Sequence, residues 1–223
     1  MKQIFITATD TDAGKTYFSR VLIQALKNQD KKVAAYKPIA AGCAKTPQGL
    51  VNEDAEHLFK LANCQQSIAD INPIAFEESI APHIAAKKHQ KIISLEEIST
   101  GFDKCQTLSA DFIITEGAGG WRLPLGNNKY LSDFVKISQQ QVLLVVNMKL
   151  GCLNHAILTY EAIISDGLQC IGWVANCQEQ MPFLVDNIEE LTQLLPIPRI
   201  GTLSYNHNIN EAASGIDLSC IIS

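Results

Sequence analysis

Thr7-Ala8-Thr9-Asp10-Thr11-Asp12-Ala13-Gly14-Lys15-Thr16 follows the apolar run Ile4-Phe5-Ile6 and precedes a stretch with helical spacing. The order is strand, tight loop, helix, and the helix opens on Gly14-Lys15-Thr16. Such a junction binds phosphate, because backbone N–H groups of the loop and the helix N-terminus converge on an anion that the helix dipole also favours. Lys15 brings a mobile positive charge to the terminal phosphates, and the Thr16 hydroxyl is suited to Mg²⁺. The strict pattern G-x-x-x-x-G-K-[ST] is not met, since Thr9 stands in its first glycine position. The expectation is still a nucleotide site.

Outward from this loop, apolar strands alternate with amphipathic helices. Residues 2–8 read as the first strand. In the helix that follows, Phe18, Val21, Leu22, Ala25 and Leu26 share one face. Val33 to Lys37 read as a short buried strand stopped by Pro38, and 53–62 as a helix. Asn72-Pro73 marks a break. Helices are expected at 80–90 and 95–109, then a strand at 112–115 ending in Glu116-Gly117-Ala118-Gly119-Gly120. A helix near 131–139 leads to the continuous apolar run 142–146, as in a central parallel strand covered on both faces. A helix near 152–166, a strand at 170–175, a helix carrying Leu184, Ile188, Leu191 and Leu195, and a last strand at 200–203 complete the pattern. Repeated βα alternation predicts a doubly wound, mainly parallel α/β sheet flanked by helices, in a single domain over 1–223.

Bulk properties narrow the function classes. The chain has 223 residues, 47% hydrophobic, with a formal net charge of −5. That suits one sizeable α/β core and speaks against nucleic acid as a partner. No apolar run approaches the roughly 20 residues that span a bilayer, and no signal-peptide layout precedes the first strand. The expectation is a cytoplasmic protein with no membrane partner. Seven cysteines at scattered spacings, with no C-x-x-C, read as reduced, buried thiols rather than a zinc site.

In doubly wound sheets ligands sit beyond the carboxyl ends of the strands. Chemistry-bearing residues fall at those ends here: the phosphate loop, Lys37, Glu116, Asn147 with Lys149, and Asn176. A carboxylate ending a buried strand suits Mg²⁺, and the glycines after Glu116 let backbone approach phosphate. Lys37 in Tyr36-Lys37-Pro38 places a second cation beside the loop, fit for an anionic substrate or a developing phosphoryl charge. Asp54 alone reads as a helix cap or a solvated acid.

Taken together, Thr9-Asp10-Thr11-Asp12-Ala13-Gly14-Lys15-Thr16, Tyr36-Lys37-Pro38, Ala81-Pro82-His83, Glu116-Gly117-Ala118-Gly119-Gly120-Trp121, Lys149-Leu150-Gly151-Cys152-Leu153-Asn154-His155-Ala156 and Gly172-Trp173-Val174-Ala175-Asn176 resemble the dethiobiotin synthetase family. The likeness runs in order from residue 1 to about 205. It departs from the family at Ala8, Asp12 and Ala41, where Gly, Glu and Ser are common. The resemblance implies a P-loop NTPase-like fold and an ATP- and Mg²⁺-dependent ring closure. 7,8-Diaminopelargonic acid takes up CO₂ as a carbamate, the carbamate is phosphorylated by ATP, and the second amine closes the ureido ring, leaving ADP and phosphate.

The resemblance also implies roles. Lys15, Lys37 and Thr11 would be catalytic. Asp12, Ala13, Gly14, Lys15, Thr16 and Tyr17 would bind the phosphates, with Asp54, Glu116, Gly117, Ala118 and Gly119 beside them. Thr16, Asp54 and Glu116 would hold Mg²⁺. Asn176 would read the adenine edge, with Cys177, Leu203, Ser204 and Tyr205 forming the base pocket. Lys37 and Ala41 would meet the substrate's carbamate end. Lys149, Leu150, Gly151 and Asn154 would meet its carboxylate tail across a homodimer interface. The competing reading from another class is a P-loop switch ATPase of the partitioning or division-site kind, which usually carries an extra lysine early in the loop. Here that stretch is Ala8-Thr9-Asp10.

Overall fold

In the computed structural model, which describes residues 1–47, 49–204 and 208–222, the apolar runs become one six-stranded sheet. Its strands are β1 (Lys2–Ala8), β2 (Val33–Tyr36), β3 (Phe112–Glu116), β4 (Gln141–Asn147), β5 (Cys170–Cys177) and β6 (Arg199–Ser204). They lie in the order β6-β5-β4-β1-β3-β2, and every pairing is parallel. The helices are α1 (Lys15–Lys27), α2 (Glu53–Leu61), α3 (Ile68–Ile71), α4 (Pro82–Lys88), α5 (Leu95–Gln106), α6 (Leu131–Ser138), α7 (Cys152–Ser165), α8 (Leu184–Leu194), α9 (Ile209–Ser214) and α10 (Ser219–Ile222).

The two-residue period of a strand sorts its side chains between two cores. Ile4, Ile6, Ile114, Leu143 and Val145 face one side, with α1, α2, α9 and α10. Phe5, Ile113, Val142, Leu144, Val146 and Trp173 face the other, with α4 to α8. All five residues expected on the inner face of α1 are buried. Both sheet faces are covered, which is why the strands read as continuous apolar runs. Among the described residues no helix is long and apolar enough to cross a membrane. All seven cysteines are free thiols, five of them buried.

The sequence pattern does not anticipate the smallest elements. Ile39–Ala40 pairs with Ile74–Ala75, Ala44–Thr46 with Gly49–Val51, and Pro124–Gly126 with Lys129–Tyr130. Strands of two or three residues are too short to show a period. The expected helix at 80–90 begins at Pro82, which occupies the first turn, where its missing N–H is harmless.

Topology places the site. The chain runs from β1 to the sheet edge at β2, returns to β3 beside β1, then crosses to β4 on β1's other flank. The carboxyl end of β1 is therefore the point where the winding reverses, and the phosphate loop emerges there between Glu116 and Asn147.

Candidate active site

Gly14 caps α1 with φ +92°, a left-handed conformation, and no side chain caps the helix. The first-turn N–H groups of α1 thus have no side-chain acceptor and face the cleft, as an anion site needs. A Cβ at Gly14 would lie 2.0 Å from Asn176 Nδ2. Only glycine satisfies both the backbone angle and this contact. The Asn176 amide donates to the Ala13 carbonyl at 2.9 Å, so the end of β5 pins the loop against α1.

A cleft of about 970 Å³ opens above this loop. Thr11, Asp12, Gly14, Lys15, Thr16, Tyr17, Lys37, Ala41, Asp54, Glu116, Ala118 and Gly119 line it. The sequence thus named residues from four separate segments that the fold brings to one surface. At its floor, Glu116 Oε1 accepts from the Thr16 hydroxyl at 2.8 Å and from Lys37 Nζ at 2.6 Å. Lys37 Nζ also lies 3.0 Å from Asp54 Oδ2. Lys37 is 3% exposed and Glu116 fully buried, whereas the Asp54 side chain is 39% exposed, so a buried ion pair meets a third charge at the rim of the cleft.

Asp54 reaches the cluster because it does not cap its helix. Asn52 is the N-cap of α2, its side chain accepting the Asp54 N–H at 3.1 Å. Asn52 Nδ2 also donates to the Ala41 carbonyl at 3.3 Å, joining α2 to the cleft wall. Burial alone would raise the Asp54 carboxyl, but Lys37, the Thr16 hydroxyl and Lys15 together hold it below the usual carboxylate range. Burial works against the Lys37 ammonium, yet Glu116 and Asp54 outweigh it and keep Lys37 above the usual lysine range. Lys15 lacks such a partner. Burial, with the charge of Lys37 nearby, pushes it down to about 8 against the weaker pull of Glu116, Asp54 and Asp12. Its ammonium donates to the Asp10 carbonyl at 3.1 Å.

Glu116 Oε2 is buried with no hydrogen-bond partner. An orphaned carboxylate oxygen beside a second carboxylate and a threonine hydroxyl is a hard-oxygen donor set. It fits Mg²⁺, which keeps waters and phosphate oxygens in its remaining positions. Among the described residues there is no cluster of three His, Cys, Asp or Glu suited to a metal.

Among the described residues, the remaining sequence candidates lie outside this cleft. Ala13 and Leu203 are packed in the core and Asn176 is 2% exposed. Asn176 and Cys177 pair in register with Leu203 and Ser204 at the ends of β5 and β6. Tyr205 lies outside the described residues. Gly117 is bonded through its N–H to the Ile6 carbonyl at 3.0 Å. Lys149 Nζ meets Asp10 Oδ2 at 3.2 Å, which ties the segment leading into α7 to the phosphate loop. Leu150 beside it is 94% exposed, and Gly151 and Asn154 open α7.

Sequence reading missed several cleft residues. Asn52, Ser79, Ile80, Gln178 and Glu179 line the cleft without any motif of their own. Ala81 and Pro82 also line it, and the only signal for them was the Ala-Pro-His segment.

A family model described as an AAA domain matches residues 2–213. Curated relatives include the ATP-dependent dethiobiotin synthetase BioD of Aeromonas salmonicida (strain A449), 45% identical over 213 residues, covering 95% of this chain and 94% of the relative. The enzyme of the same name from Pseudoalteromonas translucida (strain TAC 125) is 44% identical over 207 residues, covering 92% and 91%. Among solved structures, the MinD cell division protein of Aquifex aeolicus superposes with a TM-score of 0.57 at 17% identity, over 98% of this chain and 89% of that one. The septum site-determining protein MinD complexed with Mg-ADP from Pyrococcus horikoshii OT3 gives 0.59 at 15%, over 96% and 86%. At those identities the structural likeness shows a P-loop NTPase fold and nothing further. The sequence relatives carry the assignment: this chain belongs to the dethiobiotin synthetase family of ATP-dependent ligases.

Proposed function

We propose that this cleft closes the ureido ring of dethiobiotin from 7,8-diaminopelargonic acid, CO₂ and ATP. The observation that carries the reading is Lys37, a buried ammonium that touches Glu116 and Asp54 and opens onto the cleft beside the phosphate loop. Three anions must meet in this reaction: a carbamate, a triphosphate and a migrating phosphoryl group. Fixed cations in a poorly solvated floor stabilise them more than mobile ones in water would.

One substrate amine attacks CO₂, forming a C–N bond and releasing a proton. Lys37 holds the resulting carbamate. A carbamate oxygen then attacks the γ-phosphorus and the bond to ADP breaks. Lys15 and the α1 N–H groups, with Thr11 alongside, hold the phosphate oxygens in line. The second amine attacks the carbamoyl carbon, loses a proton and expels phosphate, closing the ring. Thr16, Asp54 and Glu116 would hold Mg²⁺, which would neutralise phosphate charge there. The base would lie toward the carboxyl ends of β5 and β6, beside Asn176, Cys177 and Ser204. Lys149, Leu150, Gly151 and Asn154 take the substrate's carboxylate tail from the partner of a cytoplasmic homodimer.

The test is direct. The protein is incubated with the diamine, bicarbonate, Mg²⁺ and ATP, and dethiobiotin is sought by mass spectrometry. Dethiobiotin should appear with stoichiometric ADP. Lys37→Ala should still bind ADP but form no ring. ATP hydrolysis by the wild type without cyclised product, or ring closure by Lys37→Ala at the wild-type rate, would sink the reading.

A further inference from the structure

The loop Gly117–Gly120 lies against the phosphate loop with little side-chain material to fix it. A Cβ at Gly119 would sit 3.8 Å from Thr11 Oγ1, and one at Gly120 would sit 3.6 Å from the Ala8 carbonyl. A run with three glycines is entropically loose, so its ends must be anchored. Glu116 anchors one end in the sheet. Trp121 anchors the other. It is 5% exposed, its ring meets Phe5 edge-on at 5.9 Å, and its indole Nε1 donates to Asp166 Oδ2 at 2.9 Å.

Asp166 gathers more than the indole. The Arg122 guanidinium grips both its oxygens, Nη1 on Oδ2 and Nη2 on Oδ1 at 3.0 Å. Arg122 is itself fixed by the Ser132 hydroxyl at 3.0 Å and by stacking over Tyr130 at 5.9 Å. Asp166 is the C-cap residue of α7. An acid at a helix C-terminus opposes the helix dipole, so the helix gains nothing from it. The benefit lies in what the carboxylate holds. The other end of α7 is preceded by Lys149, bonded to Asp10 in the phosphate loop. One helix therefore braces both loops that face the phosphates.

We propose that Asp166 is a positioning residue for nucleotide turnover: through Trp121 and Arg122 it holds the Gly117–Gly120 loop against the phosphate loop. It touches no substrate itself. The inference rests on the ATP-dependent reading of the cleft and adds a group 45 residues from the tryptophan it orients.

Trp121 reports its own position once Trp173, the other tryptophan, is replaced. In a Trp173→Phe background, Asp166→Ala should lower the fluorescence anisotropy of Trp121, weaken Mg·ADP binding and reduce kcat by about tenfold or more, as a misplaced loop would. Asp166→Asn, which keeps an acceptor for the indole, should recover part of each. Trp121→Phe combined with Asp166→Ala should be non-additive in ADP affinity. Leu168→Ala controls for stability alone, since Leu168 is buried just beyond Asp166. If Asp166→Ala lowers the melting temperature as Leu168→Ala does, yet keeps wild-type kcat and ADP affinity, the positioning role is overturned. Full additivity in the double mutant overturns it as well. Wild-type protein that binds ADP but makes no dethiobiotin would defeat the proposed function, while the anisotropy and ADP measurements still decide the role of Asp166.

Discussion

Replacing Lys37 by methionine removes a charge and little volume, so it isolates the electrostatics of the cleft floor. In the wild type Glu116 Oε1 has two donors, Thr16 and Lys37, and Oε2 has none. The variant leaves Glu116 fully buried with only the threonine hydroxyl. Removing one partner of a buried ion pair costs about 3–5 kcal/mol, because the other charge stays desolvated and uncompensated. For a chain of this length that lowers the melting temperature by about 6–20 °C. Mg²⁺ should shrink the gap between variant and wild type, since a cation at the orphaned oxygen replaces the missing ammonium. Urea unfolding followed by tryptophan emission, with and without Mg²⁺, measures both effects. An unchanged midpoint at neutral pH, or a gap that Mg²⁺ leaves as it was, would refute the picture of Lys37 as the counter-charge of Glu116.

Lys15 predicts proton uptake on nucleotide binding. Its ammonium is half deprotonated near pH 8 in the free protein, and bound phosphate favours the charged form. Well below that pH almost no proton is taken up. Above it ADP affinity should fall, by up to about tenfold per pH unit. Calorimetry at about pH 9 in two buffers of different ionisation enthalpy should detect the uptake, and Lys15→Arg should abolish it because a guanidinium stays charged. Equal heats in both buffers for the wild type would contradict this. Gly14→Ala combines a positive φ with a Cβ 2.0 Å from Asn176 Nδ2. It should displace Asn176 from the Ala13 carbonyl and abolish ADP binding in the same titration, and retained affinity would show that the contact yields cheaply.

What could be read from the sequence, and what could not, divides on locality. The phosphate loop is a local object: one glycine conformation, one lysine and one threonine at a strand-to-helix junction determine it, and all three are adjacent. Lys37 and Glu116 are not adjacent, but both end apolar runs. The rule that ligands gather at strand carboxyl ends was enough to propose their meeting, which the structure gives as a 2.6 Å contact. Asp54 escaped that rule because it sits at a helix start, where an acid is ordinarily a cap. Only the neighbouring Asn52, which takes the capping role, frees it for Lys37. The tie from Asn176 to the Ala13 carbonyl and the grip of Asp166 on Trp121 and Arg122 left no mark in the pattern. Each depends on tertiary registers that no period or motif encodes. The same division orders the chemistry. Residues whose identity is dictated by phosphate are legible locally. Residues that set how tightly the phosphate-facing loops are held come from distant helices and strand ends, so the part they play is legible only once the chain is folded.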